Sequence, residues 1–193
     1  AKPTFLINVV VNDDQKIISA FAGNWITAHK AACELVDKMY GVAAREKTPL
    51  VIASAGGYPK DLNFYQTIKT LCNALEVVED GGTIILVTKS DEGFGNDDTE
   101  RQIAGYETML DREKALRENF SIGAFIGYLF AESAEKHHLT AVTGIPQEQF
   151  GTAKIHAVKT LDEALELSRQ LNGGKDLRAT LLPHGANTLP KLK

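Results

Sequence analysis

Asn63, Gln66 and Lys69 follow one another at three-residue steps, a spacing that stacks side chains along one edge of a helix. Together they offer amide donors and acceptors and a fixed ammonium, a set suited to a small carboxylate or hydroxycarboxylate. A merely solvated helix face would show the same pattern. Just upstream, Gly56, Gly57 and Lys60 lie in a turn, and near the chain's end His184 sits in Pro183-His-Gly-Ala-Asn-Thr-Leu-Pro190. His184 could be a ligand, an acid/base group or a hydrogen-bonding brace. Lys60, Lys69 and His184 could each move a proton, but nothing in the sequence pairs two of them, so no complete catalytic set is visible.

The elements that must hold these residues are legible around them. Leu50 to Ser54 is an apolar run that breaks at Gly56-Gly57 and restarts after Pro59 with helical spacing, which reads as strand, turn, helix. In an open parallel sheet, ligands gather outside the carboxyl ends of strands, where free N–H groups of a helix start favour anions. One helix over residues 61–79 would turn Leu62, Tyr65, Ile68, Cys72, Leu75 and Val78 toward the sheet. Asp80-Gly-Gly82 is a turn signal and Thr83 to Thr88 the next strand, completing a βαβ unit. A second Gly-bearing loop, 89–96, follows. If the two strands are neighbours, both loops rim one pocket.

Alternation continues: a charged helix over 99–118, an apolar helix over 122–135, strands at 139–143, 154–158 and 177–182, and a helix opened by the capping box Thr160-Leu-Asp-Glu163 with Ala164, Leu165, Leu167, Ser168 and Leu171 inward. Before it stand a hairpin (5–11 and 17–22, turning at Asn12 to Gln15) and a helix from Asn24 or Trp25 to Gly41, with Ile26, Ala28, Ala31, Ala32, Leu35, Val36 and Met39 as its inner face. The expected fold is a layered α/β domain with a mostly parallel sheet over 48–193, preceded by a hairpin and helix over 1–47.

The 193 residues carry a formal charge of −4 and a pI near 5.8, which provides no basic field for nucleic acid. Cys33 and Cys72 form no CxxC pair and read as reduced core thiols of a cytoplasmic protein. No segment is apolar for long enough to span a bilayer. Asp91, Glu92, Asp97 and Asp98 could ligate a metal, but acidic residues ahead of a helix are expected to cap it, and no metal site is assigned. Trp25 and His29 read as packing residues, and His137-His138 as a solvated helix end. Motifs for dinucleotide, P-loop, zincin and serine-hydrolase chemistry are absent. The opening Ala1-Lys-Pro-Thr runs straight into a strand, as expected of a piece of a longer polypeptide.

Ser54-Ala-Gly-Gly-Tyr-Pro-Lys-Asp-Leu-Asn-Phe-Tyr-Gln-Thr-Ile-Lys69 resembles the signature of the C-terminal region of the nickel-dependent lactate racemase family. The likeness extends through Gly81 to Val87, Glu92-Gly-Phe-Gly95, the loop 183–190, and the opening segments 5–12 and 20–23. It implies a two-domain racemase or epimerase of 2-hydroxyacids, with an active site in the interdomain cleft and a nickel-pincer nucleotide tethered to a lysine of an N-terminal domain that is not in this chain. It also implies hydride transfer between substrate and cofactor, assisted by a histidine base of that same domain. Tyr65, Gln66 and Lys69 match residues lining the substrate site, Lys69 holding the carboxylate and Gln66 positioning substrate oxygens. None of His29, His137, His138, His156 or His184 matches the family's catalytic or nickel-ligating histidines, so this chain alone is expected to bind no nickel and to be inactive. At Ser121-Ile-Gly-Ala-Phe-Ile-Gly-Tyr128, where many relatives carry His-Lys, it has Phe125 and Ile126, implying a less polar or different substrate if that helix reaches the cleft. The alternative is a non-catalytic small-anion-binding or interaction domain of the same fold.

Overall fold

A computed structural model describes residues 4–12 and 14–192; Ala1 to Pro3 of the abrupt start and Asp13 of the expected hairpin turn lie outside the described residues. The chain separates into two compact units, Ala1–Ala43 and Ala44–Lys193.

In the first unit, β1 (Leu6–Val11) and β2 (Ile17–Gly23) pair antiparallel from Leu6 opposite Gly23 to Val11 opposite Ile17. The helix α1 (Trp25–Tyr40) starts at Asn24, whose side chain accepts from the N–H groups of Ile26 and Thr27, and stops at Gly41. Its buried face is narrower than its apolar spacing predicts. Ala28 and Ala32 are buried, whereas Trp25, Ile26 and Met39 are exposed. A two-stranded hairpin is too small a surface to cover the rest. Cys33 is likewise exposed, its Sγ 3.5 Å from Nε2 of His29, rather than a core thiol.

A short strand, β3 (Gly41–Ala44), leads into the larger unit. There β4 (Thr48–Ser54), β5 (Val78–Val87), β6 (His138–Val142), β7 (Ile155–Val158) and β8 (Ala179–Leu182) form one parallel sheet in the order β7-β6-β5-β4-β8. A last strand, β9 (Leu189–Leu192), follows. The strands are apolar on both faces because both faces are covered. Val51, Ala53, Ile84, Leu86, Leu139 and Ala141 share one core with α2 (Phe64–Leu75) and α5 (Ile122–Lys136). Leu50 and Ile85 share the other with Ala164 of α6 (Leu161–Leu171). Four rings fill the first core: Phe64 lies 4.5 Å from Phe130, 5.2 Å from Phe150 and 5.9 Å from Phe94, centroid to centroid.

Several sequence expectations shift. Strand β5 begins at Val78; the expected turn at Asp80-Gly82 is a bulge inside it, between the pairs Thr48–Val78 and Leu50–Thr83. The charged helix divides into α3 (Asp97–Ala104) and α4 (Met109–Glu118) around Gly105. On α6 the capping box forms as expected, but only Ala164 and Ser168 are buried, and Leu165 is exposed. Finally, α2 starts at Phe64, not Asp61, and buries Phe64, Thr67, Thr70, Leu71 and Ala74. Tyr65, Ile68 and Leu75 are half-buried beside that stripe and Cys72 is exposed, so neither cysteine lies in the core. The stripe turned because Phe64, which the expected stripe leaves out, enters the phenylalanine cluster.

Candidate functional site at the carboxyl edge of the sheet

Residues 54–64 connect β4 to α2, and residues 88–96 connect β5 to α3. The two strands are neighbours, so the connections lie side by side. They are bonded to each other along their length: Ser90 N–H donates to the Asp61 carbonyl (2.8 Å), Glu92 N–H to Leu62 (3.0 Å), Phe64 N–H to Gly93 (2.9 Å) and Tyr65 N–H to Phe94 (3.1 Å). Beneath them runs a buried hydroxyl chain, Thr67 Oγ1 to Thr88 Oγ1 at 2.7 Å and on to Ser90 Oγ at 3.1 Å.

This wiring changes the expected anion chemistry. The first N–H groups of α2 are not free: Phe64 and Tyr65 donate to the second loop, and Gln66 N–H donates to Asn63 Oδ1 at 3.1 Å. Asn63 is the helix cap, and its Nδ2 donates to Glu92 Oε2 at 3.2 Å, so it does not join Gln66 and Lys69 as a recognition group. An anion at this helix must therefore be held by side chains. Two are in place. Lys69 Nζ donates to Gln66 Oε1 at 2.8 Å, with Lys69 exposed and Gln66 half-buried.

A third loop completes the rim, and the sequence carries no signal for how it attaches. Gly185 N–H donates to the Ser54 carbonyl at 2.7 Å, and Asn73 Nδ2 donates to the Gly185 carbonyl at 2.7 Å. Gln66, Thr70 and Asn73 recur at helical steps, which places the loop along the Gln66 side of α2. His184 is exposed, and its carbonyl accepts from the N–H groups of Asn187 and Thr188. Gly56 has φ +92, and a Cβ there would stand 3.3 Å from His184 Nδ1, so glycine lets the two loops close on each other. Gly57 also has φ above zero, at +84. Lys60 is half-buried, its N–H donating to the Gly57 carbonyl, and Tyr58 stands 82% exposed beside it. Gly56, Gly57, Lys60, Gln66, Lys69 and His184 thus all sit on the loops and helix start at this edge. A depression of about 330 Å³ beside α6, reaching Leu50 at the other end of β4, contains none of them.

Of the four acidic residues, Asp91, Glu92 and Asp98 are committed to protein donors. Lys89 pairs with Asp91, and the hydrogen bond and charge of Asp91 raise the Lys89 pKa. Asp98 pairs with Arg101 and accepts from Ser121 Oγ at 2.7 Å, and it opens α3 behind the Asn96 cap. Among the described residues no group of three or more His, Cys, Asp or Glu could hold a metal ion. His137 is not a solvated end: it caps α5 half-buried, its Nδ1 is buried without a partner, and burial lowers its pKa. Phe125 is exposed, while Ile126 turns into the core. No helix among the described residues is long and apolar enough to cross a membrane.

Comparison with known proteins agrees with this architecture. The model of the lactate racemase C-terminal domain family matches residues 43–189. The chain is 31% identical over 201 residues to a lactate racemase of Lactiplantibacillus plantarum and 27% identical to one of Thermoanaerobacterium thermosaccharolyticum. These alignments take in 99% and 100% of this chain but 46% of each relative, so it spans about half their length. The structure of the lactate racemase apoprotein from T. thermosaccharolyticum superposes with a TM-score of 0.84 at 27% identity, over 97% of this chain and 46% of that one. A Thermotoga maritima protein of 15% identity shares the fold, with a TM-score of 0.62. By its sequence match over 43–189 and its five-stranded parallel sheet, this chain belongs to the lactate racemase C-terminal domain family.

Proposed function

We propose that this chain is the substrate-side domain of a cytoplasmic racemase or epimerase acting on lactate or another 2-hydroxyacid, and that Tyr65, Gln66 and Lys69 hold the substrate. The observation that carries the reading is the Lys69–Gln66 pair at 2.8 Å on a helix start whose own N–H groups are already used. With the backbone occupied, the Lys69 ammonium is the group here that can meet a carboxylate with full charge. Gln66 keeps its amide nitrogen for a substrate oxygen while its carbonyl holds Lys69 in place. Tyr65, three residues before Ile68, adds a half-buried ring to the same rim. Such groups contribute by fixing the substrate's reacting carbon in one orientation.

The family resemblance brings in a nickel-pincer nucleotide, which supplies the hydride acceptor and donor. As the family resemblance implies, we assign that group to the N-terminal part of the longer enzyme, and no chemical step is assigned to this domain. On this reading the chain by itself has no racemase activity, and its partners are the substrate and that N-terminal domain. The test is chiral chromatography of L-lactate and larger 2-hydroxyacids after incubation with the intact polypeptide made alongside its cofactor-making enzymes, with Lys69→Ala in parallel. Inversion that collapses in the variant is the expected result. Inversion unaffected by the variant removes Lys69 from the site, and nickel bound stoichiometrically to the purified 193-residue chain overturns the division of labour.

A further inference from the structure

We propose that His29 and Cys33 form a two-residue zinc site that clips one turn of α1. Residues four apart on a helix lie one above the other on the same face, and this face is open, because both side chains are exposed. Cys33 Sγ stands 3.5 Å from His29 Nε2, and among the described residues neither side chain has another hydrogen-bond partner. A zinc ion that binds sulfur at about 2.3 Å and nitrogen at about 2.0 Å in tetrahedral geometry sets those two ligand atoms about 3.5 Å apart. The pair is therefore spaced for the ion as it stands. A thiolate beside an imidazole suits zinc, whereas magnesium and calcium take oxygen ligands. On binding, Cys33 gives its thiol proton to solvent, zinc–sulfur and zinc–nitrogen bonds replace two zinc–water bonds, and water keeps the other two positions. No third side chain is required, in agreement with the absence of a larger donor cluster among the described residues.

The first unit is the part of the molecule that such a clip would steady most. Of its described apolar side chains only Val10, Ala28 and Ala32 are buried, while Trp25, Ile26 and Met39 on α1 are exposed. A helix in a protein draws most of its stability from packing an apolar face, and a unit with so small a core is one that a bound metal commonly supports. Zinc on His29 and Cys33 closes a ring over residues 29–33 and binds only when that turn is helical, so it stabilises the helix by mass action. Cys72 provides the contrast within the same chain. The residues four before and four after it are Ile68 and Glu76, so it has no imidazole in register and is not part of a site.

The test titrates the metal-free 193-residue chain with zinc against a chromophoric chelator, under a reductant that contains no thiol, as wild type, Cys33→Ser, His29→Gln and Cys72→Ser. All three positions are exposed or half-buried, and superimposable circular dichroism spectra check that each variant is folded. The expected result is one zinc per chain, with affinity about tenfold or more weaker in Cys33→Ser and in His29→Gln, since loss of even an outer-shell partner costs that much, and unchanged in Cys72→Ser. Cobalt in place of zinc should give a thiolate charge-transfer band that Cys33→Ser lacks. Hydrogen exchange reads the clip directly: with zinc at about ten times its dissociation constant, the amides of the clipped turn should exchange about tenfold more slowly in the wild type and at an unaltered rate in Cys33→Ser. Zinc affinity that neither Cys33→Ser nor His29→Gln weakens overturns the site, and zinc bound without slower exchange in α1 overturns the clip. Because imidazole also takes nickel, the nickel measurement described above is made on Cys33→Ser, so that its outcome bears on the division of labour alone.

Discussion

Lys69 Nζ donates to Gln66 Oε1 at 2.8 Å, which joins into one unit two side chains whose three-residue spacing only placed them on a common edge. On the proposed substrate site, removing the ammonium leaves a neutral amide to face the carboxylate. Lys69→Ala in the intact enzyme should lower kcat/KM by roughly tenfold to a hundredfold, the weight of a charged hydrogen bond, with no loss of melting temperature because Lys69 is exposed. Steady-state kinetics beside a thermal melt separate the two effects.

Asn63 is a structural support of that unit, not a member of it. Its Oδ1 caps α2 at the Gln66 N–H and its Nδ2 binds Glu92. Asn63→Ala should cost about 1–2 kcal/mol of stability and raise the substrate KM by loosening the helix turn that carries Gln66 and Lys69. Asn63→Asp retains the cap acceptor but sets a second carboxylate against Glu92, so it should rescue only part of the stability. Both are read from denaturant unfolding.

Gly56 stands at φ +92 with His184 Nδ1 3.3 Å from where a Cβ would be. Gly56→Ala should destabilise by about 1–3 kcal/mol, through backbone strain and the contact together. In the double variant Gly56→Ala/His184→Ala the steric share should be recovered and the backbone share should remain. Equal unfolding free energies for the two would show that His184 does not crowd the turn.

Arg112 is only 2% exposed, with Nε donating to the Gln102 carbonyl (2.8 Å) and Nη2 to the Ile103 carbonyl (2.8 Å) and Thr152 Oγ1 (2.9 Å). Burial lowers its pKa, opposed by the charges of Glu135 and Asp111. It ties the end of α3 to α4 and to the loop after residue 150. Arg112→Met removes these donors and strands two carbonyls, and should cost about 2–4 kcal/mol. Arg112→Lys, lacking the planar fork, should recover less than half of that loss.

His137 supplies a pH dependence with a definite sign. Its folded-state pKa lies below the ordinary 6.5, chiefly through burial, with Lys47, Lys136 and His138 lowering it further and Asp80 opposing them. The folded protein therefore binds this proton less readily than the unfolded chain does. The stability associated with neutral His137 is present above pH 6.5 and is lost as the pH falls below that value. The wild-type melting temperature should drop between pH 7 and pH 5 by more than that of His137→Gln. Parallel curves for the two would exclude His137 as the source.

The strand-turn-helix around Gly56-Gly57, the parallel alternation after it, the hairpin and helix before it, and the cap at Thr160 were all legible in the sequence, because each depends on local periodicity and on side chains within four residues. The family was legible for the same reason: its signature is one contiguous stretch. Contacts between residues distant in the chain were not. Phe64 entering the cluster of Phe94, Phe130 and Phe150 rotated α2 away from its expected inner stripe. Gly93 and Phe94 took the N–H groups that the helix start would otherwise have offered to an anion. Asn73 latched the His184 loop through Gly185, more than 100 residues away (|i−j| 112). Periodicity specifies which residues share a face; which face meets the core, and which donors remain for a ligand, was decided by packing among segments that meet only in the folded chain.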